Sequence, residues 1–146
     1  MRGLEGIQVV EIGQMVGVPW AARIIADLGA DVIKLEPPAG DQSRYRGPYS
    51  GKFDINTSGL FVALNFNKRS VSVDLGTESG MERLHSLLAD ADLLIHDLAP
   101  DLANSLGLGE LSLRSRYPSM VTCSVTPFGR SGPYSGYQAE DLQIMH

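Results

Sequence analysis

The sequence has little of what several classes of protein require. It contains one cysteine, Cys123, so no disulfide can form within the chain. Its three histidines are widely spaced and, with a single cysteine, offer no spacing typical of a metal site. No run approaches the roughly 18 apolar residues that a membrane helix needs, and the pattern predicts no signal peptide. We therefore expect a cytoplasmic protein with neither a bound metal nor a membrane partner.

Basic residues are also scarce. The chain has 12 Lys and Arg against 17 Asp and Glu, which gives a formal net charge of −5 and disfavours nucleic acid as a partner. Hydrophobic residues make up 43% of the 146 residues and charged residues 20%, a composition typical of one folded domain over residues 1–146. The last residues, AEDLQIMH, contain no glycine or proline stop, so we expect this to be a fragment of a longer chain.

The first 36 residues predict a strand, a helix and a second strand. IQVVEI (residues 7–12) is apolar on both faces, as a buried parallel strand is. Pro19 suits the first turn of a helix and Gly29 suits its end, before the strand DVIKLE (31–36). The residues expected on the buried face of this helix are Ala21, Ile24, Ile25 and Leu28.

The rest of the chain continues the alternation. Residues 37–59 are rich in Gly, Pro and Ser and are too long for an ordinary connection, so we expect this stretch to be functional or mobile. The pattern then predicts a helix over 60–64, a strand over 70–75, a helix over 77–89, a strand over 92–96, one or two short helices and a fifth strand over 120–125. Cys123 is expected to be a small buried residue of that strand. The fold class is α/β, with a mostly parallel sheet flanked by helices.

A dinucleotide site is the first functional hypothesis that the βαβ opening suggests. Gly13 and Gly17 lie in the first loop, and Glu36 follows at about the distance of the acidic residue that holds a ribose. However, Met15 stands where the fingerprint needs a second glycine, and Pro19 removes an N–H donor from the helix start. The pattern therefore disfavours NAD or FAD, and Glu36 is predicted to be a solvated strand end.

Four segments, in order, resemble the family III CoA-transferases (the CaiB/BaiF family). They are LEGIQVVEIGQMVGVPWAARIIADLGADVIKLEPPAGDQSR (4–44), LNFNKRSVSVDLGTESG (64–80), LGLGEL (106–111) and YPSMVTCSVTPFGRSGPYSG (117–136). The resemblance implies a Rossmann-like domain, here the N-terminal part of a larger two-domain fold, in an interlaced homodimer. It also implies reversible transfer of CoA between an acyl-CoA thioester and a carboxylic acid through an aspartyl-CoA intermediate.

The resemblance places the nucleophilic aspartate beyond this chain, so no catalytic residue is expected within it. Asp141 is not expected to be the nucleophile, since a carboxylate at a helix start is favourable for structural reasons. The α-methylacyl-CoA racemases of the same family carry a His-Asp pair where this chain has Glu140-Asp141. That difference makes a racemase-like isomerase the less favoured alternative, and we expect the isolated chain to be inactive.

The resemblance also indicates which residues would contact CoA. These candidates are Gln14, Met15, Val16, Gly17, Arg44, Lys68, Arg69, Val73, Asp97 and Leu98. The sequence departs from the family pattern at three of the places that matter. Asp97 replaces an asparagine, Leu98 replaces an aromatic residue, and Pro37 stands where some members carry a basic residue.

These departures leave three explanations open. In the first, the chain belongs to a divergent subfamily that binds CoA through Arg44, Arg46, Lys68 or Arg69. In the second, it is a degenerate half that has become a structural or binding domain. In the third, CoA binds through backbone groups near residues 14–17.

Overall fold

Five parallel strands form one sheet in a computed structural model that describes residues 3–137 and residue 139. The elements, in chain order, are β1 (Gln8–Ile12), α1 (Gly17–Asp27), β2 (Asp31–Glu36), a 3₁₀ helix (Gln42–Tyr45), α2 (Gly59–Asn65), β3 (Arg69–Ser72), α3 (Glu78–Ala89), β4 (Leu93–His96), α4 (Pro100–Ser105), α5 (Glu110–Arg116) and β5 (Val121–Ser124). The strand order is β3-β2-β1-β4-β5. This confirms the predicted α/β class with a parallel sheet between helices.

The core has two layers because the central strands are apolar on both faces. On one face, Val9 and Val32 pack beneath α1 together with Ile95. On the other face, α3, α4 and α5 pack on β1 and β4, and Leu84 of α3 and Leu94 of β4 are fully buried there. The centre of the sheet is therefore covered by helices on both faces, and the loops that follow the strands lie at the carboxyl ends of the strands.

The end of α1 is as predicted. Gly29 has a φ of 110°, a left-handed conformation that costs glycine little. Its N–H donates to the carbonyl of Ala26 at 2.9 Å, and the next N–H, of Ala30, donates to Ile25 at 3.3 Å. The helix stops here and β2 begins in register with β1.

The predicted buried face of α1 is partly wrong. Ile24 and Leu28 are 46% and 51% exposed, whereas Val18, Ala22 and Ala26 are buried against the sheet. A helix can approach a sheet closely only through small side chains, so the alanine face is the one that packs. The bulkier apolar residues lie on the outer side.

Cys123 is exposed, which corrects the expectation that it is buried. It pairs with Ile95 across the sheet and so lies on the face covered by α1. β5 is an edge strand, however, and α1 packs mainly on β1, β2 and β4. The burial of a strand residue depends here on its distance from the helix layer.

One close backbone approach in the fold can be tested. A Cβ added to Gly80, in the first turn of α3, would lie 1.8 Å from the carbonyl oxygen of Asp74. We expect Gly80→Ala to lower the free energy of unfolding by about 1–3 kcal/mol, because overpacking outweighs the better helix propensity of alanine. Urea unfolding at neutral pH is the measurement.

The matched control is Gly17→Ala at the start of α1. A Cβ there meets nothing within 4 Å, so the variant should be neutral or stabilised by less than ~1 kcal/mol. Equal effects of the two substitutions would contradict the packing of α3 described above.

Candidate functional site

A cavity of about 240 Å³ opens at the carboxyl ends of the central strands. We call it the edge cavity; its lining residues are Ile12, Gly13, Gln14, Leu35, Glu36, Pro37, Pro38, Val73, Asp74, Leu75, Gly76, Asp97 and Leu98. β1 pairs with β2 on one side and with β4 on the other, so the loops after these strands diverge at this point. Ligands of open parallel α/β sheets bind at such places.

The loop between β1 and α1 is held by groups outside it. The N–H of Gln14 donates to Asp97 Oδ2 at 2.9 Å, and the N–H of Met15 donates to Asp41 Oδ1 at 3.2 Å. Met15 adopts a φ of 59°, unusual for a residue with a side chain. Two backbone donors of this loop are therefore already bonded to carboxylates.

A buried charge network lies directly beneath the loop. Lys34 is 1% exposed, and its Nζ lies 2.9 Å from Glu11 Oε1, 2.8 Å from Asp41 Oδ2 and 2.7 Å from the carbonyl oxygen of Gly13. Lys68 Nζ lies 2.7 Å from the other oxygen of Glu11. We call Glu11, Lys34, Asp41 and Lys68 the lysine–carboxylate network.

The pKa shifts in this network follow from burial and pairing. Burial raises the pKa of Asp41, but the hydrogen bond and charge of Lys34 outweigh it, so the pKa lies below its ordinary value. Burial is the larger influence on Lys68 and lowers its pKa, although Glu11 opposes the shift. The two lysines and two carboxylates balance each other's charge within the interior.

Glu36 is 4% exposed, which corrects its expected role as a solvated strand end. Arg44 donates two hydrogen bonds of 2.7 and 2.8 Å to its carboxylate. The hydroxyl of Ser70 and the N–H of Asp41 also donate to it. Burial alone would raise the pKa of Glu36, but these bonds, led by that of Arg44, lower it to about 2. The Arg44 guanidinium also stacks on Phe61, 3.6 Å from the ring centroid.

The structure brings some of the predicted CoA contacts together and separates others. Gln14, Val73, Asp97 and Leu98 line the edge cavity. Met15, Val16 and Gly17 continue from it into the start of α1. Arg44 lines a neighbouring cavity that shares Glu36, Pro37 and Pro38 with the first.

The remaining basic candidates lie elsewhere. The side chain of Lys68 is 2% exposed and donates to the carbonyl oxygen of Pro19 at 2.8 Å, beneath the first turn of α1. Arg69 begins β3 at the opposite, amino edge of the sheet and pairs with Asp31 in solvent. Asp141, for which a structural role is expected, lies outside the described residues.

The charged residues around the edge cavity carry one sign. Glu36, Asp74 and Asp97 line it, and within the described part of the chain no lysine or arginine does. Burial raises the pKa of Asp97, although the Gln14 N–H and the charge of Lys34 oppose the shift. A larger cavity of about 800 Å³ shares Asp97 and carries a further carboxylate, Asp101. Uncharged and apolar ligand groups fit this edge better than phosphates do.

Sequence reasoning missed Glu11, Lys34 and Asp41 as residues that shape the site. A signal for the first two was present, since each is the charged residue of an otherwise apolar strand, in VVEI and VIKL. A charge in a fully buried strand needs a partner. The register supplies one, because Glu11 lies directly opposite Lys34 in the β1–β2 pair.

Within residues 3–137 and 139, no helix is long and apolar enough to cross a membrane. The same residues contain no group of three or more His, Cys, Asp or Glu placed to hold a metal ion.

Comparisons with known proteins agree with one another. The profile of CoA-transferase family III matches residues 4–145. A succinate–glutarate CoA-transferase of Agrobacterium fabrum is 37% identical over 145 residues, covering 97% of this chain and 36% of that protein. A cinnamoyl-CoA:phenyllactate CoA-transferase of Clostridium sporogenes is 35% identical over 129 residues, with 88% and 31% covered. The chain spans about a third of the length of these relatives.

Solved structures give the same result. A CaiB/BaiF family protein from Brucella suis matches with a TM-score of 0.88 and 37% identity, covering 98% of this chain and 38% of that one. A short-chain dehydrogenase/reductase family protein matches with a TM-score of 0.53 and 17% identity over 93% of this chain and 63% of that one. At that identity the second match shows the shared fold alone.

The lysine–carboxylate network yields a test of stability. Lys34→Met leaves Glu11 and Asp41 buried beside an apolar side chain, so we expect the free energy of unfolding to fall by about 3–5 kcal/mol. The control is Arg69→Met, which breaks the exposed pair with Asp31 and should cost less than about 1 kcal/mol. Urea titrations that gave equal losses would contradict the network's importance.

Glu36 predicts a specific acid sensitivity. Its pKa is about 2 in the folded chain against an ordinary 4.5. The carboxylate therefore stabilises the folded state fully above about pH 5, and this contribution is lost as the pH falls from about 4.5 to about 2. We expect Glu36→Gln to be less stable at pH 7 but to lose less stability between pH 5 and 3. Urea unfolding across that range measures it, with the exposed Glu82→Gln as the control. Parallel curves for the parent chain and Glu36→Gln would refute the prediction.

Proposed function

Because the chain belongs to CoA-transferase family III, we propose that it supplies the CoA-binding edge of an enzyme that moves CoA reversibly between an acyl-CoA thioester and a carboxylic acid. The observation that carries the proposal is the edge cavity, which lies at the strand ends beneath a rigidly held β1–α1 loop. In this proposal the complete protein has a second domain, is an interlaced homodimer and works in the cytoplasm.

The edge cavity suits the uncharged parts of CoA. Its apolar walls, Ile12, Leu35, Val73 and Leu98, would hold the flat adenine ring. The side chain of Gln14 would hydrogen bond to ring or sugar groups. The phosphates would then lie toward solvent, away from the carboxylates of the rim.

The β1–α1 loop has donors left for the thioester end. The N–H groups of Val16 and Gly17 make no hydrogen bond among the described residues. They would stabilise negative charge that develops on an acyl oxygen, as an oxyanion hole does. The hydrogen bonds of Gln14 and Met15 would keep this part of the loop in place.

The transfer itself would use an aspartate that this chain does not contain. Its carboxylate would attack the thioester carbonyl, forming a mixed anhydride and releasing the CoA thiolate. The thiolate would then attack the aspartyl carbonyl, giving aspartyl-CoA and the free acid, and an incoming carboxylate would reverse these steps. The isolated chain should therefore show no CoA exchange above background, and turnover would contradict this assignment.

A second function is favoured by one specific observation. The edge cavity carries three carboxylates, while Arg44 and Lys68 are bonded to Glu36 and Glu11. Because these cations are bonded to carboxylates of the same chain, they are not available for the phosphates of CoA. Such a site suits a degenerate half that stabilises or binds a partner without binding CoA. The racemase alternative depends on Glu140-Asp141, which lie outside the described residues.

Calorimetry with CoA separates the two functions. We expect the chain to bind CoA and Asp97→Asn to bind it about fivefold more tightly at low salt, because ~1 kcal/mol of repulsion from the phosphates is removed. The gain should shrink at high salt. The asparagine oxygen can still accept the hydrogen bond from Gln14.

The matched control is Asp92→Asn. Asp92 Oδ2 accepts the N–H of Gln8 at 2.9 Å at the amino edge of the sheet, as Asp97 accepts that of Gln14 at the carboxyl edge. Its substitution should leave CoA affinity unchanged. No binding by either the parent chain or Asp97→Asn would refute the transferase proposal and favour the structural one.

A further inference from the structure

A second kind of cavity lies on the opposite side of β4, between α5 and the edge strand β5. Its volume is about 430 Å³, and its lining residues are Glu110, Arg114, Pro118, Met120, Thr122, Ser124 and Arg130. We call it the arginine cavity. Its charge contrasts with that of the edge cavity, since two guanidinium groups face a single carboxylate.

Neither arginine side chain is paired with another described residue. Arg114 and Arg130 make no hydrogen bond or ion pair with any described residue, whereas Arg116 on the same helix is bonded to His85. Glu110 precedes Arg114 by one helical turn, yet the two are not within ion-pair distance. Unpaired arginines are common on protein surfaces, but these two line the same cavity.

The strand side of the cavity contains polar groups that lack partners. Ser124 Oγ is buried and has no hydrogen bond within the described residues. His96 pairs with Ser124 across the sheet, is 0% exposed, and has no described partner for Nε2. Its Nδ1 accepts the N–H of Leu98 at 3.3 Å, so the neutral ring carries its hydrogen on Nε2.

Electrostatics connects this histidine with the cavity. Burial, together with the smaller influence of the positive charge of Arg130, lowers the pKa of His96 to about 4. A buried donor and a buried hydroxyl without partners are rare in folded proteins and call for a ligand or a bound water. Here the two residues are paired across the sheet, and Ser124 is one of the residues that line the cavity.

We propose that the arginine cavity binds a phosphate group. Arg114 would approach it from α5 and Arg130 from the loop after β5, while the hydroxyls of Thr122 and Ser124 would donate from the strand. Donors that converge from several directions match a tetrahedral anion better than a planar carboxylate. With Glu110 on the rim the lining retains one net positive charge, which suits a ligand of one or two negative charges. The phosphate is either inorganic or part of a small organic molecule, and the two share this chemistry.

The test is a phosphate titration of the ¹⁵N-labelled chain followed by NMR, with chloride adjusted to hold ionic strength constant. We expect amide shifts to concentrate at Thr122, Ser124 and Arg130. Arg114→Gln and Arg130→Gln should each weaken phosphate binding at least about tenfold, since each removes charge-assisted hydrogen bonds. The control is Arg116→Gln, on the same helix and outside the cavity, which should bind within twofold of the parent chain.

Further measurements identify the ligand and check that the variants are folded. Thermal unfolding followed by circular dichroism should show that the variants are folded, and Arg130→Lys should retain part of the affinity because it keeps the charge. Glycerol 3-phosphate, which has no adenine ring to enter the edge cavity, would assign the site to an organic phosphate if it bound more tightly than inorganic phosphate; equal affinity would assign it to the free ion. Both results support the site.

Three results would overturn the proposal. They are shifts confined to residues 13–17, affinities unchanged in both glutamine variants, and tighter binding of succinate than of phosphate. None of these outcomes depends on whether the edge cavity binds CoA, so the two proposals can fail separately.

Discussion

The ammonium group of Lys34 is the contact on which the site depends. It joins β2 to Glu11 of β1, to the carbonyl oxygen of Gly13 at the start of the loop, and to Asp41 after β2. A buried charge of this kind contributes little net stability compared with an apolar core, because desolvation offsets most of the attraction. Its effect is specificity: a strand shift of one residue would separate Lys34 from Glu11 and leave both charges unpaired.

The same contact determines the chemistry available at the carboxyl edge. Asp41, held by Lys34, accepts the Met15 N–H and keeps that residue in its left-handed conformation. Asp97 likewise accepts the Gln14 N–H from the other side of β1. The loop is therefore rigid without a ligand, but Asp97, one of the two carboxylates that fix it, is also part of the negative lining of the edge cavity. Rigidity and affinity for an anionic cofactor are opposed in this arrangement.

The sequence predicts the features that depend on local geometry. Gly29 ends α1, and Thr77 caps α3 by accepting the N–H of Gly80, because these preferences act within one turn. The order of strands and helices follows from apolar patterning in the same way. The family resemblance depends instead on four sequence segments in order, and the comparisons confirm it.

What sequence reasoning could not determine depends on distant partners. α1 carries two apolar stripes, and periodicity does not say that Ala22 and Ala26, rather than Ile24 and Leu28, face the sheet. The burial of Glu36 depends on Arg44 and Ser70, and the exposure of Cys123 on the position of β5 at the sheet edge. That edge has a practical consequence. The stretch from Pro118 to Gly129 contains no charged residue, and Val121 is 63% exposed. An uncharged, β-prone strand at an open sheet edge is a template for pairing with another chain, so β5 is the strand at which we expect such pairing.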